Sequence, residues 1–501
     1  MRLSSGQVSL VTLSGWGFLA SFFAFLEDVE FYALLNIEGT GFKRVMIPVA
    51  RLIMTYQLKI LLGIPSINLV PTKLFRDIAL LQLIGYTTTQ MQAGFCERGN
   101  LAQGPMHKNT LADAVERLSA EELERLLNET ACRLSERGFF QQSNGHFALD
   151  ATDLETTAKC TDAGMKKYTE RKVTTDKQVV EVPRSAYGFK VLIVYEVRLR
   201  LVVAAQVVPI QQHEAQFTLP LIRQAVKNVG RGVLRVLLID RGFLDGQDLW
   251  VLKQGMGIDF VVPAKQDMRV TADAQGLSRA EADGEYIIPH EHAGTRRVVK
   301  KGKKTAVRWE GQVSVVGVAE LRSYDQYGDA DHSKHTNRKG FQGNALNAVV
   351  VTKWAGEAYA VGKEKVFLTS LPVTQPLAVL DLYDLRSLIE NTAFRELKQG
   401  WCLKKYPKKT AKAIQGHVFL TLVTFTLANA FRTARGQQLA AHGVRRQRAE
   451  EESGQVIVFA GEHYAIFDIE EVFILLGVVP QQCLRADPAK GRRRYGLPSA
   501  A

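Results

Sequence analysis

The clearest repeating pattern in the chain lies between residues 110 and 137. Leu118, Leu123, Leu126 and Leu127 form an apolar stripe at helical spacing, with Thr110 and Ser119 placed to cap. On this basis residues 1–145 read as mainly helical. From residue 146 the period changes. "HFALD", "YGFKVLIVYEV" and "RLRLVVAAQVVPI" are apolar or β-branched runs and read as strands. "HEAQFTLPLIRQAVKNVG" reads as a helix in spite of Pro220, and "GVLRVLLID" as a strand buried on both faces. "LDGQDLWVLKQG" then reads as a short helix and "IDFVVPAK" as another strand. Three strands, helix, strand, helix, strand predict an α/β sheet of mixed direction over residues 146–265. Residues 266–375 break into short strand-like pieces with polar turns, which predicts a separate β-rich insertion. Helix returns over 376–435, where "AIQGHVFLTLVTFTLANAFRTA" is apolar on most sides and is expected to lie buried against the sheet. Residues 436–501 make a C-terminal region.

One predicted helix has an unusual face. In "YDLRSLIENTAFRELKQGW", Tyr383, Arg386, Glu390, Phe394, Leu397 and Trp401 fall on one side of a 3.6-residue wheel. A Tyr, an Arg and a Glu on an otherwise apolar face need polar partners. Arg386 and Glu390 are four residues apart, so an ordinary helix ion pair is the plain alternative.

Charge narrows the class of partner. The 501 residues carry 64 Lys and Arg against 51 Asp and Glu, a net charge of +13, which favours a polyanion. The bias is strongest between Leu397 and Ala449, which contains no Asp or Glu but holds Lys398, Lys404, Lys405, Lys408, Lys409 and Lys412. The five cysteines show no zinc spacing and fit a reducing cytoplasm. The uncharged stretch Val8 to Leu26 has the length of a membrane segment. Gly, Ser and Thr interrupt it and "EDVE" follows at once, so a buried packing segment is the favoured reading and no stable membrane association is expected.

Two acidic residues occupy equivalent places. Asp150 and Asp240 each end an apolar strand, and in an open α/β sheet the carboxyl ends of strands are where sites form. Asp153 and Glu155 lie close to Asp150 and are rival candidates. Glu390 would add a third carboxylate from a helix across the sheet. Three carboxylates repel unless a cation sits among them, and oxygen-only ligands suit Mg2+ or Mn2+. Two such ions suit an in-line phosphoryl displacement.

"FALDATDLE", "LLIDRGF" and "YDLRSLIENTAFRELKQGW" resemble the three motif regions of bacterial insertion-sequence DDE transposases of the family-four type. That family carries Tyr-x2-Arg-x3-Glu-x6-Lys on its last core helix. Tyr383, Arg386 and Glu390 match, whereas the final position is Leu397, with Lys398 one residue late. The resemblance covers roughly residues 146–430. It implies an RNase H-like mixed-sheet core interrupted by a β-rich insertion and preceded by a mainly helical N-terminal region. It further implies catalytic and metal-binding roles for Asp150, Asp240 and Glu390. Tyr383 and Arg386 would contact DNA phosphate, and Trp401 is counted with them. A small local widening of the helix between Asn391 and Leu397 would let Lys398 replace the family's Lys while Leu397 packs inward. Lys404, Lys405, Lys408 and Lys409 would add sequence-independent backbone contacts. The implied activity is cut-and-paste transposition through metal-dependent hydrolysis and strand transfer. The implied partners are terminal inverted repeats and target DNA, bound by a homodimer in the bacterial cytoplasm, on the nucleoid. An RNase H-like nuclease without strand transfer and an inert DNA-binding relic are the alternatives.

Overall fold

Four consecutive apolar residues, Val236–Ile239, are all buried and form an inner strand of a mixed sheet in the computed structural model. The structure describes residues 11–37, 46–95, 104–160, 162–173, 179–280, 287–300, 303–334, 343–354, 357–434, 455–460 and 463–468. The chain divides into two compact units, one made of Met1–Leu126 with Glu396–Ala501 and the other of Leu127–Arg395.

In the first unit, strand β1 (Val11–Ser14) pairs antiparallel with Gln455–Ala460, which pairs in turn with His463–Asp468. Helix Phe18–Asp28 follows β1. Within the described residues, the apolar stretch over 8–26 is therefore a strand and a helix, not one continuous span; residues 8–10 lie outside them. Leu19, Phe22, Phe23 and Leu26 are buried. Helix Ala411–Ala434 is long and apolar enough to cross a membrane, yet 94% of its apolar window is buried inside the protein. Within its unit it packs on the helices Phe18–Asp28, Val49–Leu61 and Lys108–Arg117. The Phe431 ring meets Phe22 edge-on at 5.5 Å.

This helical core holds two buried nitrogen bases with different fates. His417 Nε2 donates to the Cys402 carbonyl at 3.0 Å, so Nδ1 accepts from the Tyr56 hydroxyl at 2.8 Å. Burial, aided by nearby Lys59, pushes His417 down to about 3 and keeps it neutral. Lys59 is 1% exposed, and its Nζ makes no hydrogen bond. The ammonium faces the Tyr56 ring, 5.3 Å from its centre. Burial lowers Lys59 from 10.5 to about 8, against the opposing pull of Cys402. The unfolded chain thus binds the extra proton between these two values, and stability rises as pH climbs from about 8 to about 10.5. Below pH 8 the full penalty remains, on the order of 3 kcal/mol. Lys59→Met is expected to raise the urea midpoint at pH 7 by an amount worth about 2–3 kcal/mol and to remove that alkaline rise. A Met variant less stable than wild type at pH 7 would show that the ammonium is well accommodated.

The second unit is built on one sheet. Its strands are β2 (His146–Thr156), β3 (Gly164–Val173), β4 (Val179–Glu196), β5 (Leu201–Pro209), β6 (Val236–Ile239), β7 (Asp259–Pro263), β8 (Ile287–Lys300), β9 (Lys303–Leu321), β10 (Leu346–Trp354), β11 (Glu357–Ala358) and β12 (Lys365–Thr369). The order is β3-β4-β2-β6-β7-β12-β10-β9-β8, with β5 on β4 and β11 on β10. The β2–β6 and β6–β7 pairs are parallel and the other pairs are antiparallel. Parallel neighbours need a crossover. Helix Thr218–Val229 supplies the one before β6, burying Leu221, Ile222, Ala225 and Val229. Pro220 is tolerated because it sits in the first turn, where no intrahelical donor is lost. The mixed α/β sheet expected from the periodicity is present.

The insertion departs from expectation. It is not a separate β body: β12 pairs with β7 in the register Leu368↔Val262, and β10, β9 and β8 extend the same sheet outward. Strand pairing of this kind depends on distant partners, which local alternation does not encode. The extension has a use. Helix Pro376–Asp384 packs on β7, β8, β9 and β10 and delivers the residues that follow it to the carboxyl end of the core strands.

Candidate active site

The two aspartates are brought together by register. β2 and β6 run parallel with Leu149 opposite Ile239, so Asp150 and Asp240 are the next residues on neighbouring strands. Adjacent strands lie about 4.8 Å apart. β6 stops at Ile239 because Asp240 opens the 3-10 turn Arg241–Phe243, whose Phe243 is buried. β2 continues to Thr156, and its alternation decides between the acidic candidates. Asp150, Thr152 and Leu154 are buried on one face, while Asp153 and Glu155 belong to the other, more exposed face. Asp153 pairs there with Lys166 at 3.4 Å.

The third carboxylate arrives with an arginine. Glu390 sits in the π-helical segment Ile389–Phe394, which packs on β2. Arg386 Nη1 donates to Asp150 Oδ2 at 3.2 Å and Nη2 to Glu390 Oε1 at 2.8 Å. The helix ion pair is therefore real, but it is one arm of a bridge to the strand. The Ala151 amide donates to Asp150 Oδ1 at 2.7 Å. Burial pushes the Asp150 carboxyl up to about 7, opposed by the Ala151 amide and Arg386 and reinforced by Glu390 and Asp240. Arg386 Nε is buried and carries no hydrogen bond. The Tyr383 ring lies 5.7 Å from the Arg386 guanidinium and 4.8 Å from the Phe367 ring of β12. Burial pushes the Tyr383 hydroxyl well up, so it stays a neutral donor. Tyr, Arg and Glu thus share an apolar helix face because that face crosses the polar ends of β2 and β6.

The donor set is oxygen only, which suits a hard divalent cation. Asp150 is raised chiefly by burial and further by two carboxylate neighbours, so a nearby cation would favour its charged form. Among the described residues, however, no three His, Cys, Asp or Glu side chains are gathered closely enough to hold a metal ion. Arg386 occupies the position between Asp150 and Glu390 where cationic charge is wanted.

The π segment overlaps the expected widening but starts earlier, at Ile389. Each π turn admits about one extra residue, setting later residues back by about 100°. Leu397 is buried.

Two other expectations need correction. Trp401 is 0% exposed and meets Phe425 edge-on at 5.6 Å, so it is a core residue and cannot face DNA. The helix ends just before it, and Cys402 adopts a left-handed φ of 59°, which folds the chain inward. Lys408 is bound to Asp113 and Glu116, both at 2.5 Å, and these partners raise its pKa. Its charge is neutralised locally. Lys404, Lys405 and Lys409 are exposed and make no ion pair among the described residues.

A brace beside Asp240 was not foreseen from the sequence. Lys190 is buried on β4 and pairs with Glu214 at 2.8 Å. A Cβ on Gly242, two residues past Asp240, would sit 2.6 Å from Glu214 Oε2. The polar run "QQHE", shortly after the apolar strand Leu201–Pro209, was the available signal.

The family model of the transposase DDE domain matches residues 141–427. Among solved structures, the cryo-EM structure of a piggyBac transposase synaptic complex with hairpin DNA is similar at 11% identity and a TM-score of 0.37, covering 98% of this chain and 89% of that one. No curated protein matches the chain significantly. The domain match spans more than half of the sequence and contains Asp150, Asp240, Tyr383, Arg386 and Glu390, and the chain belongs to the transposase DDE domain family.

Proposed function

We propose that this transposase cuts DNA at the ends of a mobile element and joins the freed 3′-hydroxyl to target DNA, in the manner of the insertion-sequence family-four type. One observation carries the reading: the parallel register of β2 and β6 sets Asp150 beside Asp240, and Arg386 ties Glu390 to the same spot. Asp150, Asp240 and Glu390 would hold Mg2+ or Mn2+, as DDE transposases generally use divalent ions. When bound, such ions withdraw charge from the phosphate and supply a water of lowered pKa. The protein's own part is positioning. Arg386, which ties Asp150 to Glu390, would turn its planar fork to a phosphate once released from one of these carboxylates, and Tyr383 would offer a neutral hydroxyl beside it. Lys398 would add a further phosphate contact. Residues 1–145 would recognise terminal inverted repeats, and a homodimer would hold two ends together.

The test uses purified protein, Mg2+ and a labelled duplex that spans the junction of the gene's flanking DNA with its terminal inverted repeat. The expected result is a nick that leaves a 3′-hydroxyl at the junction. Intact duplex after prolonged incubation with either Mg2+ or Mn2+ would remove the reading.

The basic tract gives a separate prediction. Replacing Lys404, Lys405 and Lys409 with Gln should weaken binding equally to element ends and to random duplex. The slope of log affinity against log salt should fall by about 0.9 for each phosphate that is no longer neutralised. Lys408→Gln should leave that slope unchanged, since its ammonium serves Asp113 and Glu116. An unchanged slope in the triple variant would mark the tract as solvated surface.

A further inference from the structure

β4 is one uninterrupted strand of 18 residues with two different surroundings. Its C-terminal part is flanked by β2 through residues 187–196 and by β5 through residues 189–196. Its N-terminal part, 179–186, pairs with β3 alone among the described strands. β3 and this part of β4 therefore leave the sheet as a two-stranded ribbon. Its root is closely packed: Gly188 is opposite both Glu155 of β2 and Gly164 of β3, and a Cβ there would collide with the Leu154 carbonyl.

Beyond its root, none of the described side chains over 165–169 and 180–185 is buried. Met165, Lys166, Lys167, Tyr168 and Thr169 are all exposed in succession, as are Pro183, Arg184 and Ser185. Met165, Tyr168 and Val180 are 41–43% exposed. A strand buried on one face would alternate, and a bare two-stranded ribbon is marginally stable in water. The ribbon therefore has a surface in need of a partner.

Position and charge say which partner. The ribbon departs at Glu155, five residues past Asp150 and on the end of β2 that carries it. At about 3.3 Å per residue its root lies roughly 17 Å from Asp150 and its paired strands run on for about 30 Å more. Residues 164–186 contain Lys166, Lys167, Arg171, Lys172, Lys177 and Arg184 against Glu170, Asp176 and Glu181, an excess of three positive charges. Lys166 meets Asp153 only at 3.4 Å with both side chains exposed, a pair too weak to hold it. The major groove, about 12 Å wide, admits a two-stranded β-ribbon.

Building on the DNA-cutting reading, we infer that the β3–β4 ribbon is a DNA-binding arm that enters the groove of the duplex flanking the cut. Lys166 and Lys167 contact its phosphates there, with Tyr168 against the sugar edge.

Two measurements on the full-length chain test this. The first compares wild type with Lys166→Gln/Lys167→Gln for binding to the labelled junction duplex across a salt series. The variant should bind about tenfold more weakly at moderate salt, and its slope should be shallower by about 1–2. The second replaces Tyr168 with the photo-crosslinker p-benzoylphenylalanine and maps the adducts. Adducts on DNA within one helical turn of the cut are expected. Adducts to a second copy of the chain, or wild-type affinity and slope in the double variant, would overturn the inference. Wild type that cuts the junction while both results fail removes only the arm. Wild type that neither binds nor cuts duplex removes the DNA-cutting reading with it.

Discussion

Asp240→Asn is expected to lower DNA cleavage by about a thousandfold or more while leaving duplex binding within about twofold, because lost stabilisation of several kcal/mol at the phosphate acts on the chemical step. The amide keeps the shape of the side chain and the 3-10 turn behind it, and removes only the charge. Asp150→Asn and Glu390→Gln should behave alike. Their binding needs more care, since each also frees one arm of Arg386. The informative control is Asp153→Asn. Asp153 lies on the opposite face of β2 from the site and already pairs there with Lys166. It should cut at the wild-type rate. Gel-based initial rates on the junction duplex read all four variants. Normal cleavage by Asp240→Asn, or loss of cleavage in Asp153→Asn, would mean that the carboxylates are wrongly assigned.

Trp401→Ala is expected to destabilise the protein by about 3–5 kcal/mol, the cost of removing a large buried aromatic side chain. The ring is fully enclosed and packed on Phe425, in the same unit as His417 and Ala411–Ala434. Trp401→Phe should recover most of the loss. Urea denaturation gives the stability, and a binding isotherm on the folded fraction gives the DNA affinity. A stable Trp401→Ala protein with weakened DNA binding would return Trp401 to the DNA-facing surface.

The core of the mixed sheet was legible because its signals are local. Val236–Ile239 is apolar throughout, so it reads as an inner strand, and a lone Asp at its end reads as a site. The same holds for Asp150 after Phe147–Leu149. The face of the helix that carries Glu390 was legible too, since Tyr383, Arg386 and Glu390 follow a simple period. That period breaks at Ile389, where the π segment begins. Trp401 was misread because the helix ends at Gln399 and Cys402 turns the chain, which a helical wheel does not show. Lys408 was misread because a charge run shows its cations but not the acids brought to them, here Asp113 and Glu116 from nearly 300 positions earlier. The pairing of β12 with β7 is equally non-local. Length and hydropathy also fail to separate a core helix from a membrane span, as Ala411–Ala434 shows by its burial.

Joining separates a transposase from a nuclease built on the same carboxylates, which makes it the decisive reaction to measure. A labelled, pre-cleaved element end with a free 3′-hydroxyl is incubated with wild-type protein, Mg2+ and a supercoiled plasmid. Covalent end-to-plasmid products are expected, and they should vanish with chelator and with Asp240→Asn. Efficient junction cleavage with no joined product, or joining that persists in excess chelator, would contradict a metal-dependent transposase acting through Asp150, Asp240 and Glu390.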